Sequence, residues 1–327
     1  MLQVIVFGLG SMGKRRIRLI KEMYKDYIIY GIDTRKDRCE EVNGKLGINC
    51  YTDITEIDKI QETSCAFVCT SPLSHSSIIT QCLNNRWNVF TELNLVDNGY
   101  ESNINLAEKN NCILFLSSTF LYRSEISYIR KKICGNIKWN YIYHTGQYLP
   151  DWHPWENYND FFVGNKQTNG CREIMAIELP WLVTTFGEIS SYNVISDKIT
   201  SLNIDYNDNY FIQFVHKNGN KGIFVVDVVS PSAVRKLEVY SENRYLSWEG
   251  TPDSIKEYNT KINCLENVFP VAKETHIDGY SDFIIESAYK NEIKEFFDIV
   301  SGKKEIIYGF KQDMKILQLI DILENYK

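Results

Sequence analysis

Apolar and amphipathic stretches alternate through roughly the first third of the chain. Apolar runs occupy residues 3–7, 27–32, 65–69, 87–91 and 112–116, and amphipathic stretches lie near residues 13–24, 35–46, 74–85 and 98–110. Alternation at this spacing is typical of βαβ units, in which parallel strands form one sheet with helices on both faces. The pattern therefore predicts a doubly wound α/β domain of the Rossmann type over residues 1–120, with ligands at the carboxyl ends of its strands.

The pattern changes after about residue 136. Residues 139–144 alternate with a period of two, as a strand with one wet face does, and a helical stretch follows at 171–186. Further strand-like runs lie at 190–196, 209–216, 222–229, 234–240 and 244–248, and helical segments lie near 281–300 and 311–325. We expect an α+β domain over residues 121–327 with a mostly antiparallel sheet, and with C-terminal helices that are free to pack back on the first domain.

A glycine turn follows the first apolar run directly and precedes a helical pattern. It reads Gly8-Leu9-Gly10-Ser11-Met12-Gly13, a G-x-G-x-x-G motif. In this context Gly8 permits a sharp turn, Gly10 lets a pyrophosphate approach the backbone, and Gly13 lets the helix pack closely on the strand. We expect the turn and the first helical amides, including those of Ser11 and Met12, to bind the phosphates of a dinucleotide.

An acidic residue, Asp33, ends the second apolar run, twenty positions after Gly13. A carboxylate at this place can accept hydrogen bonds from the adenosine ribose hydroxyls and repels a 2′-phosphate, so it favours NAD over NADP. Arg35 and Lys36 follow closely and could instead accept the 2′-phosphate of NADP. The sequence therefore predicts NAD as the cofactor and leaves NADP as the alternative.

Composition narrows the class of protein. The 327 residues carry a net charge of −6, which gives no basic field to attract nucleic acid or a membrane surface. Apolar runs fall short of the roughly 18 residues that span a bilayer, and the N-terminus does not read as a signal peptide. The nine cysteines include no C-x-x-C pair. We expect free thiols in a reducing cytoplasm and no metal site.

A Rossmann half followed by a helix and an antiparallel sheet resembles the glucose–fructose oxidoreductase / inositol dehydrogenase (Gfo/Idh/MocA) family. Beyond the glycine turn and Asp33, the likeness rests on Cys69–Pro72 followed by His75, Val89–Glu92, Tyr122–Arg123, Gln147–Trp155, and a closing Tyr289…Glu292…Phe296 helix with Gly302 after it. The resemblance implies an NAD(P)-dependent oxidoreductase that acts on a hydroxyl or keto group of a sugar, sugar nucleotide or cyclitol. It also makes a homo-oligomer through the second-domain sheet plausible.

The resemblance and the side-chain chemistry assign two sets of candidate contacts. The residues expected to contact the cofactor, besides the glycine turn, are Asp33, Arg35, Thr70, Ser71, Pro72, His75 and Glu92. The residues expected to contact the substrate are Asn94, Tyr122, Arg123, Trp152, His153, Trp155 and Arg172. Aromatic faces beside polar groups suit sugar rings, which present C–H patches as well as hydroxyls.

The chain departs from the family where the family carries its catalytic lysine. The family's Glu-Lys-Pro is replaced by Glu92-Leu93-Asn94, and leucine can neither transfer a proton nor orient a substrate. On the second-domain helix, Ile174 and Ile177 stand near the places of the family's acid and histidine. The usual catalytic pair is therefore missing, which favours an alternative in which the protein is a non-catalytic sensor or scaffold.

Alcohol oxidation needs a group that takes the hydroxyl proton. His153 titrates near physiological pH, Glu92 follows a strand end, and Glu178 lies in an apolar run where an unpaired carboxylate would be costly. Glu173 is a further acid on the same helix as Glu178, but five positions separate the two, so at most one of them faces a cleft. We expect His153, Glu178 or Glu92 to replace the missing lysine.

Overall fold

The chain forms two compact units. The first comprises Met1–Ser118 and Tyr289–Leu317, and the second comprises Thr119–Ala288 and Gln318–Lys327. The computed structural model describes residues 1–58, 60, 64–153, 156–269 and 283–326. Residues 1–120 and 121–327 remain the proposed domains. Within the second of these ranges, the segment Tyr289–Leu317 belongs to the first compact unit.

The first unit is built on a parallel six-stranded sheet in the order β3-β2-β1-β4-β5-β6. Its strands are β1 (Gln3–Phe7), β2 (Ile28–Ile32), β3 (Asn49–Tyr51), β4 (Cys65–Val68), β5 (Asn88–Thr91) and β6 (Leu114–Leu116), and its helices are α1 (Ser11–Met23), α2 (Lys36–Leu46), α3 (Pro72–Asn84) and α4 (Tyr100–Asn110). The central strands β1 and β4 are buried along their whole length, which explains their nearly continuous apolar sequence. The predicted Rossmann architecture is confirmed, with β3 as an additional short strand.

The second unit contains an eight-stranded sheet in the order β14-β13-β12-β11-β7-β10-β9-β8. Its elements are α5 (Ser124–Ile133), β7 (Asn140–Gly146), α6 (Gly170–Phe186), β8 (Ile189–Asp197), β9 (Asn209–His216), β10 (Lys221–Asp227), β11 (Val234–Ser241), β12 (Arg244–Trp248), β13 (Lys256–Asn259) and β14 (Cys264–Asn267). Strand β7 pairs in parallel with β10, and the other neighbouring strands pair antiparallel. The prediction of a mostly antiparallel sheet is confirmed; α5, β13 and β14 were not predicted.

The two faces of this second sheet differ in burial. On the inner face Tyr143 stacks on Phe224, with ring centroids 5.5 Å apart, and meets the edge of Trp181 from α6 at 5.3 Å. The outer face carries partly exposed apolar side chains, namely Ile142, Ile195, Phe211, Val215 and Ile223. Phe211 is 51% exposed and pairs across the ladder with Ile195 and Val225. Helix α6 therefore completes the core on one face and leaves the other without a cover within the described residues.

Two further helices, α7 (Glu286–Val300) and α8 (Phe310–Glu324), follow the second sheet in the chain. Phe296 of α7 is fully buried and contacts Phe67, Phe90 and Phe115 edge-on, with centroid distances of 5.4, 5.6 and 5.7 Å. These three rings come from β4, β5 and β6 and stack on one another. The aromatic cluster explains why Tyr289–Leu317 belongs to the first unit, since edge-to-face aromatic pairs add about 0.5–1.5 kcal/mol each to area burial.

A buried carboxylate fixes the start of α8. Asp313 is 1% exposed and accepts hydrogen bonds from the hydroxyls of Tyr100, at 2.6 Å, and Tyr308, at 2.7 Å. Burial raises the pKa of Asp313 to about 6, although the two hydroxyls favour the ionised form. The folded chain therefore binds a proton at this carboxyl more tightly than the unfolded chain does.

This raised pKa predicts a pH-dependent stability. Between about pH 4 and pH 6 the folded state holds a proton on Asp313 that the unfolded state lacks, so the free energy of unfolding falls as pH rises and then levels off above pH 6. Asp313→Asn mimics the protonated acid. In this variant the free energy of unfolding should change by about 2–3 kcal/mol less over this pH range than it does in the native chain. Urea unfolding of the native chain and the variant from pH 4.5 to 7.5 measures the difference. If the free energy of unfolding changed with pH equally in the native chain and in Asp313→Asn, Asp313 would not be the group responsible.

Candidate functional site

The glycine turn lies between β1 and α1 and contains two glycines that the fold itself requires. Gly8 has a φ of +87°, and a Cβ there would lie 2.7 Å from the backbone carbonyl of Cys69. A Cβ on Gly13 would lie 1.9 Å from the carbonyl oxygen of Gly8. Gly10 differs, because its φ is an ordinary −73° and a Cβ would meet one atom within 4 Å, the Nη1 of Arg38 at 3.8 Å. The space in front of Gly10 is therefore open.

Helix α1 begins beside this open space without a side-chain cap. Gly10 occupies the N-cap position, and the first turn, which includes Ser11, Met12 and Gly13, holds no acidic residue. The first amides of a helix have no intrahelical acceptor and carry a partial positive charge. Open space in front of Gly10, together with these amides, fits the pyrophosphate of a dinucleotide.

Asp33 lies at the carboxyl end of β2 and supports the glycine turn. Its Oδ2 accepts a hydrogen bond from the amide of Leu9 at 2.8 Å, and its Oδ1 accepts one from the amide of Arg35 at 2.9 Å. The Arg38 guanidinium pairs with the same carboxylate at 3.6 Å, whereas the Arg35 guanidinium pairs with Asp37 at 2.5 Å. Arg38, which the sequence did not single out, is thus the cation beside both Asp33 and Gly10.

The junction of β4 and α3 contains four predicted cofactor contacts, which differ in accessibility. Thr70 is half-buried and Ser71 is exposed, whereas Pro72, at the first helical position of α3, is buried. His75 is 2% exposed; its Nε2 lies 2.9 Å from the Thr70 carbonyl, and its Nδ1 lies 2.6 Å from Oδ1 of Asn94. Burial lowers the pKa of His75.

His75 and Asn94 therefore form a buried clamp between the loop after β4 and the loop after β5. Asn94 is 2% exposed and follows Glu92 and Leu93 in the loop after β5. A neutral imidazole and an amide in this setting hold backbone segments in place rather than transfer protons. The geometry favours a positioning role for both residues over the direct cofactor and substrate contacts that we predicted.

Glu92 is engaged by a buried arginine of α1. Arg16 is 0% exposed; its Nε donates to Glu92 Oε1 at 2.6 Å, and its Nη2 donates to Glu92 Oε2 at 3.2 Å. The same Nη2 donates to Glu292 of α7 at 2.7 Å, and Glu292 also accepts from the Ser118 amide at 2.7 Å. Both oxygens of Glu92 therefore have a charged donor, which favours a structural role over the predicted proton transfer.

Glu178 of α6 is also saturated with donors. It is 0% exposed, and its Oε2 accepts from the hydroxyl of Tyr143 at 2.7 Å and from the indole of Trp181 at 2.6 Å. Its Oε1 accepts from Nη2 of Arg235 at 2.8 Å. A buried, paired carboxylate with every oxygen bonded is costly to disturb, so a structural role again outweighs the predicted catalytic one.

Two arginines that we expected to face the substrate are committed to internal partners. Arg123 is 3% exposed and donates to Glu125 at 2.6 Å and to the carbonyl of Gly250 at 2.6 Å. Arg172 is 5% exposed, and its Nη2 donates to Asp321 at 2.7 Å. Because both side chains are buried, we favour a role for them in stabilising the second unit. Substrate contact remains a prediction for both.

The aromatic loop before α6 keeps several predicted residues partly accessible. Trp152 donates its indole N–H to the carbonyl of Gln147 at 3.0 Å and remains half-buried. The His153 side chain is 29% exposed, and its ring lies 4.4 Å from that of Phe161. Tyr122 is half-buried as well, and Trp155 lies outside the described residues. Among the three predicted proton carriers, His153 has the most exposed side chain, at 29%, against 13% for Glu92 and 0% for Glu178.

In the part of the chain that the structure describes, no group of three or more histidine, cysteine or acidic side chains is arranged to hold a metal ion. Among those residues there is also no helix that is long and apolar enough to cross a bilayer.

Comparison with known proteins gives a family match for the first unit. Residues 2–118 match the model of an oxidoreductase family with an NAD-binding Rossmann fold, Gfo/Idh/MocA. The myo-inositol 2-dehydrogenase of Thermotoga maritima is 33% identical over 120 residues, which cover 35% of this chain and 35% of that enzyme. The match therefore spans about a third of that relative.

Solved structures share the fold over nearly the whole chain. UDP-N-acetylglucosamine 3-dehydrogenase GnnA from Acidithiobacillus ferrooxidans superimposes with a TM-score of 0.75 at 14% identity, covering 99% of this chain and 96% of that one. Levoglucosan dehydrogenase, in complex with NADH and levoglucosan, gives a TM-score of 0.77 at 12% identity, covering 98% of this chain and 96% of that one. Over residues 2–118, the chain is therefore similar to the NAD-binding Rossmann domain of the Gfo/Idh/MocA oxidoreductases.

Proposed function

We propose that this protein is an NAD(P)-dependent oxidoreductase that transfers a hydride to or from a hydroxyl or keto group of a sugar, sugar nucleotide or cyclitol. The observation that carries the proposal is the open cradle in front of Gly10, bordered by uncapped helix amides and by Asp33. Proteins of similar fold are dehydrogenases of UDP-N-acetylglucosamine and of levoglucosan, and a relative of the first unit acts on myo-inositol.

Three parts of the first unit would bind three different parts of the cofactor. The amides of Ser11 and Met12 would hold the pyrophosphate, and Asp33 would accept hydrogen bonds from the adenosine ribose. Thr70 and Ser71, which remain accessible at the start of α3, would contact the nicotinamide ribose. The bound cofactor supplies the two-electron redox chemistry, and the chain supplies orientation and a proton group.

The second unit supplies the proposed substrate contacts. Trp152 and Tyr122 offer half-buried aromatic surface that suits the C–H face of a sugar ring. His153 has the most exposed side chain of the three predicted proton carriers, whereas both oxygens of Glu92 and of Glu178 are bonded. We therefore retain His153 as a candidate acid or base and place Glu178 in the supporting structure.

A substitution at Gly10 should abolish cofactor binding without affecting folding. Gly10→Val places its side chain in open space at an ordinary φ, so the apo protein should keep its melting temperature. The native protein should gain about 2.7 kcal/mol of stability at an NAD concentration a hundredfold above Kd, and the variant should gain nothing. Thermal-shift titration with NAD and NADP measures both quantities.

Gly44→Val is the matched control, because Gly44 of α2 has nothing within 4 Å of an added Cβ. This variant should respond to the cofactor as the native protein does. A native protein whose melting temperature responds to neither nucleotide would refute the proposed cofactor site.

We expect Arg38 to influence how the protein distinguishes NADP from NAD. Asp33 disfavours a 2′-phosphate, while Arg38, 3.6 Å from that carboxylate, is the cation placed to receive one. Arg38→Gln should therefore weaken NADP binding about tenfold more than NAD binding, since one charge-assisted hydrogen bond is lost. Lys36→Gln, at a side chain that is 82% exposed, should leave the NADP/NAD ratio of Kd values unchanged. Equal effects of the two variants on that ratio would exclude Arg38 as the determinant.

A second candidate function follows from the segment after β5. Leu93 stands half-buried where the family has its lysine, and the adjacent Asn94 is locked to His75. This observation favours a protein that binds the cofactor without turnover, as a sensor or scaffold. A native protein that binds NAD but oxidises no sugar, nucleotide sugar or cyclitol, and that gains activity through Leu93→Lys, would establish this second function.

We also propose that the outer face of the second sheet joins two copies of the chain, because its apolar residues are uncovered within the described residues. Phe211→Lys places a charge at the middle of that face, next to Ile195 and Val225, and should shift the protein toward monomer with little change in stability. Ser102→Lys, an exposed position on α4 of the first unit, adds the same charge as a control. Sedimentation velocity measures the shift, and a native monomer at all concentrations would refute the proposal.

A further inference from the structure

A series of buried polar side chains joins the start of α8 to the loop after β4 within the first unit. At one end, Asp313 accepts a hydrogen bond from the Tyr100 hydroxyl at 2.6 Å. At the other end, Nδ1 of His75 lies 2.6 Å from Oδ1 of Asn94, and its Nε2 lies 2.9 Å from the carbonyl oxygen of Thr70. We call this series the hydrogen-bond relay; its four side chains belong to residues that are 3% exposed or less, namely Asp313, Tyr100, Asn94 and His75.

The two halves of the relay meet at the amide of Asn94. Its Nδ2 is closed to solvent and makes no hydrogen bond among the described residues. The same side chain lies against the Tyr100 hydroxyl: burial and the Asp313 carboxylate raise the pKa of that hydroxyl, and the amide of Asn94 acts in the opposite direction. Asn94 therefore stands between Tyr100 and His75.

The relay has an acceptor at each end. The ionised carboxylate of Asp313 and the backbone carbonyl of Thr70 accept hydrogen bonds and cannot donate them. The three groups between them are a hydroxyl, an amide and a neutral imidazole, and each can donate on one side while it accepts on the other. Three hydrogen atoms are thus shared among four links. One link stays unbonded until the relay takes up one more proton.

The geometry identifies the link that lacks a hydrogen atom. Tyr100 donates to Asp313, and Oδ1 of Asn94 faces Nδ1 of His75, so the imidazole hydrogen lies on Nδ1. Nε2 then presents a lone pair to the Thr70 carbonyl. Once Asp313 is protonated it can donate to Tyr100. Tyr100 then donates to Asn94, the amide turns over, and His75 in its other tautomer donates from Nε2 to Thr70.

The surroundings of the relay decide which end takes the proton. Burial raises the pKa of Asp313 to about 6; the hydroxyls of Tyr100 and Tyr308 oppose this rise, and the Asp97 carboxylate adds to it. Burial lowers the pKa of His75, although the Glu92 carboxylate acts in the opposite direction. Protonation of the acid removes a buried charge, whereas protonation of the imidazole would create a second one. The proton therefore goes to the acid.

We propose that uptake of one proton by the relay tightens the binding of NAD at Thr70 and Ser71. The inference rests on the cofactor site of the proposed function. A bonded Thr70 carbonyl holds the loop after β4 in one position, so the protonated relay presents a preformed loop to the cofactor. By linkage, bound NAD must favour proton uptake to the same extent.

Calorimetric titration with NAD between pH 5 and pH 7.5 tests this coupling in the full chain. The Kd of the native protein should be about threefold to tenfold lower at pH 5 than at pH 7.5, which is the effect of one hydrogen bond. Asp313→Asn supplies the missing hydrogen atom at every pH, because its amide can donate to Tyr100, so its Kd should stay low throughout. Tyr100→Phe interrupts the relay, and its Kd should not vary with pH.

Tyr308→Phe is the matched control for Tyr100→Phe. Tyr308 donates to the same carboxylate at 2.7 Å and lies outside the relay. Its loss should keep the pH dependence of Kd and move the midpoint to higher pH, because a hydroxyl that favours ionised Asp313 is removed. If Tyr100→Phe and Tyr308→Phe lost the pH dependence equally, the relay would be overturned.

The imidazole of His75 reports on the relay without any cofactor. Nitrogen NMR of the apo protein should find the ring hydrogen on Nδ1 at pH 7.5 and on Nε2 at pH 5. In Asp313→Asn it should find that hydrogen on Nε2 at both pH values. A tautomer of His75 that is the same at both pH values in the native protein would overturn the relay.

The outcomes separate the coupling from the cofactor site on which it rests. A native protein that binds NAD with the same Kd at pH 5 and pH 7.5 would overturn the coupling and leave the cofactor site standing. A native protein that binds neither NAD nor NADP at any pH would overturn the cofactor site and the coupling together.

Discussion

One buried guanidinium organises the first unit. Arg16 reaches from α1, just after the glycine turn, to Glu92 at the end of β5 and to Glu292 of α7. It also lies over the ring of Phe90 at 4.5 Å. Removing one partner from a buried ion pair of this kind typically costs about 3–5 kcal/mol, because the other charge is left uncompensated. The helix that follows the glycine turn, the loop after β5 and helix α7 are therefore held together by one buried guanidinium.

Local patterns in the sequence predicted the parts of the fold that depend on neighbouring residues. The apolar runs located the sheet of the first unit, and the glycine spacing located the cradle, because both follow from strand burial and from backbone conformation at Gly8 and Gly13. Strand β3 has three residues and carries too little pattern to recognise. Strands β7 and β10 pair in parallel, although α6 lies between them in the sequence. The local alternation of apolar and polar residues does not show which strands pair with each other.

The candidate site was less predictable, because most of its charged groups act through distant partners. Glu92 is neutralised by Arg16, 76 positions away, and Glu178 by Arg235, 57 positions away. Without these pairings, an acid after a strand or in an apolar run looks equally suited to chemistry and to structure. Only the three-dimensional arrangement separates Glu178, which has four donors, from Glu173, whose Oε2 has none among the described residues.

The membership of Tyr289–Leu317 in the first unit has a consequence for how the chain is made. The contact of Arg16 with Glu292 joins residues 276 positions apart, and the ring of Phe296 fills the space above β4, β5 and β6. During synthesis this apolar surface of the Rossmann sheet can therefore be covered only after Tyr289–Leu317 has been made. Long-range contacts of this kind slow folding, because the ordering of a long intervening segment must precede them.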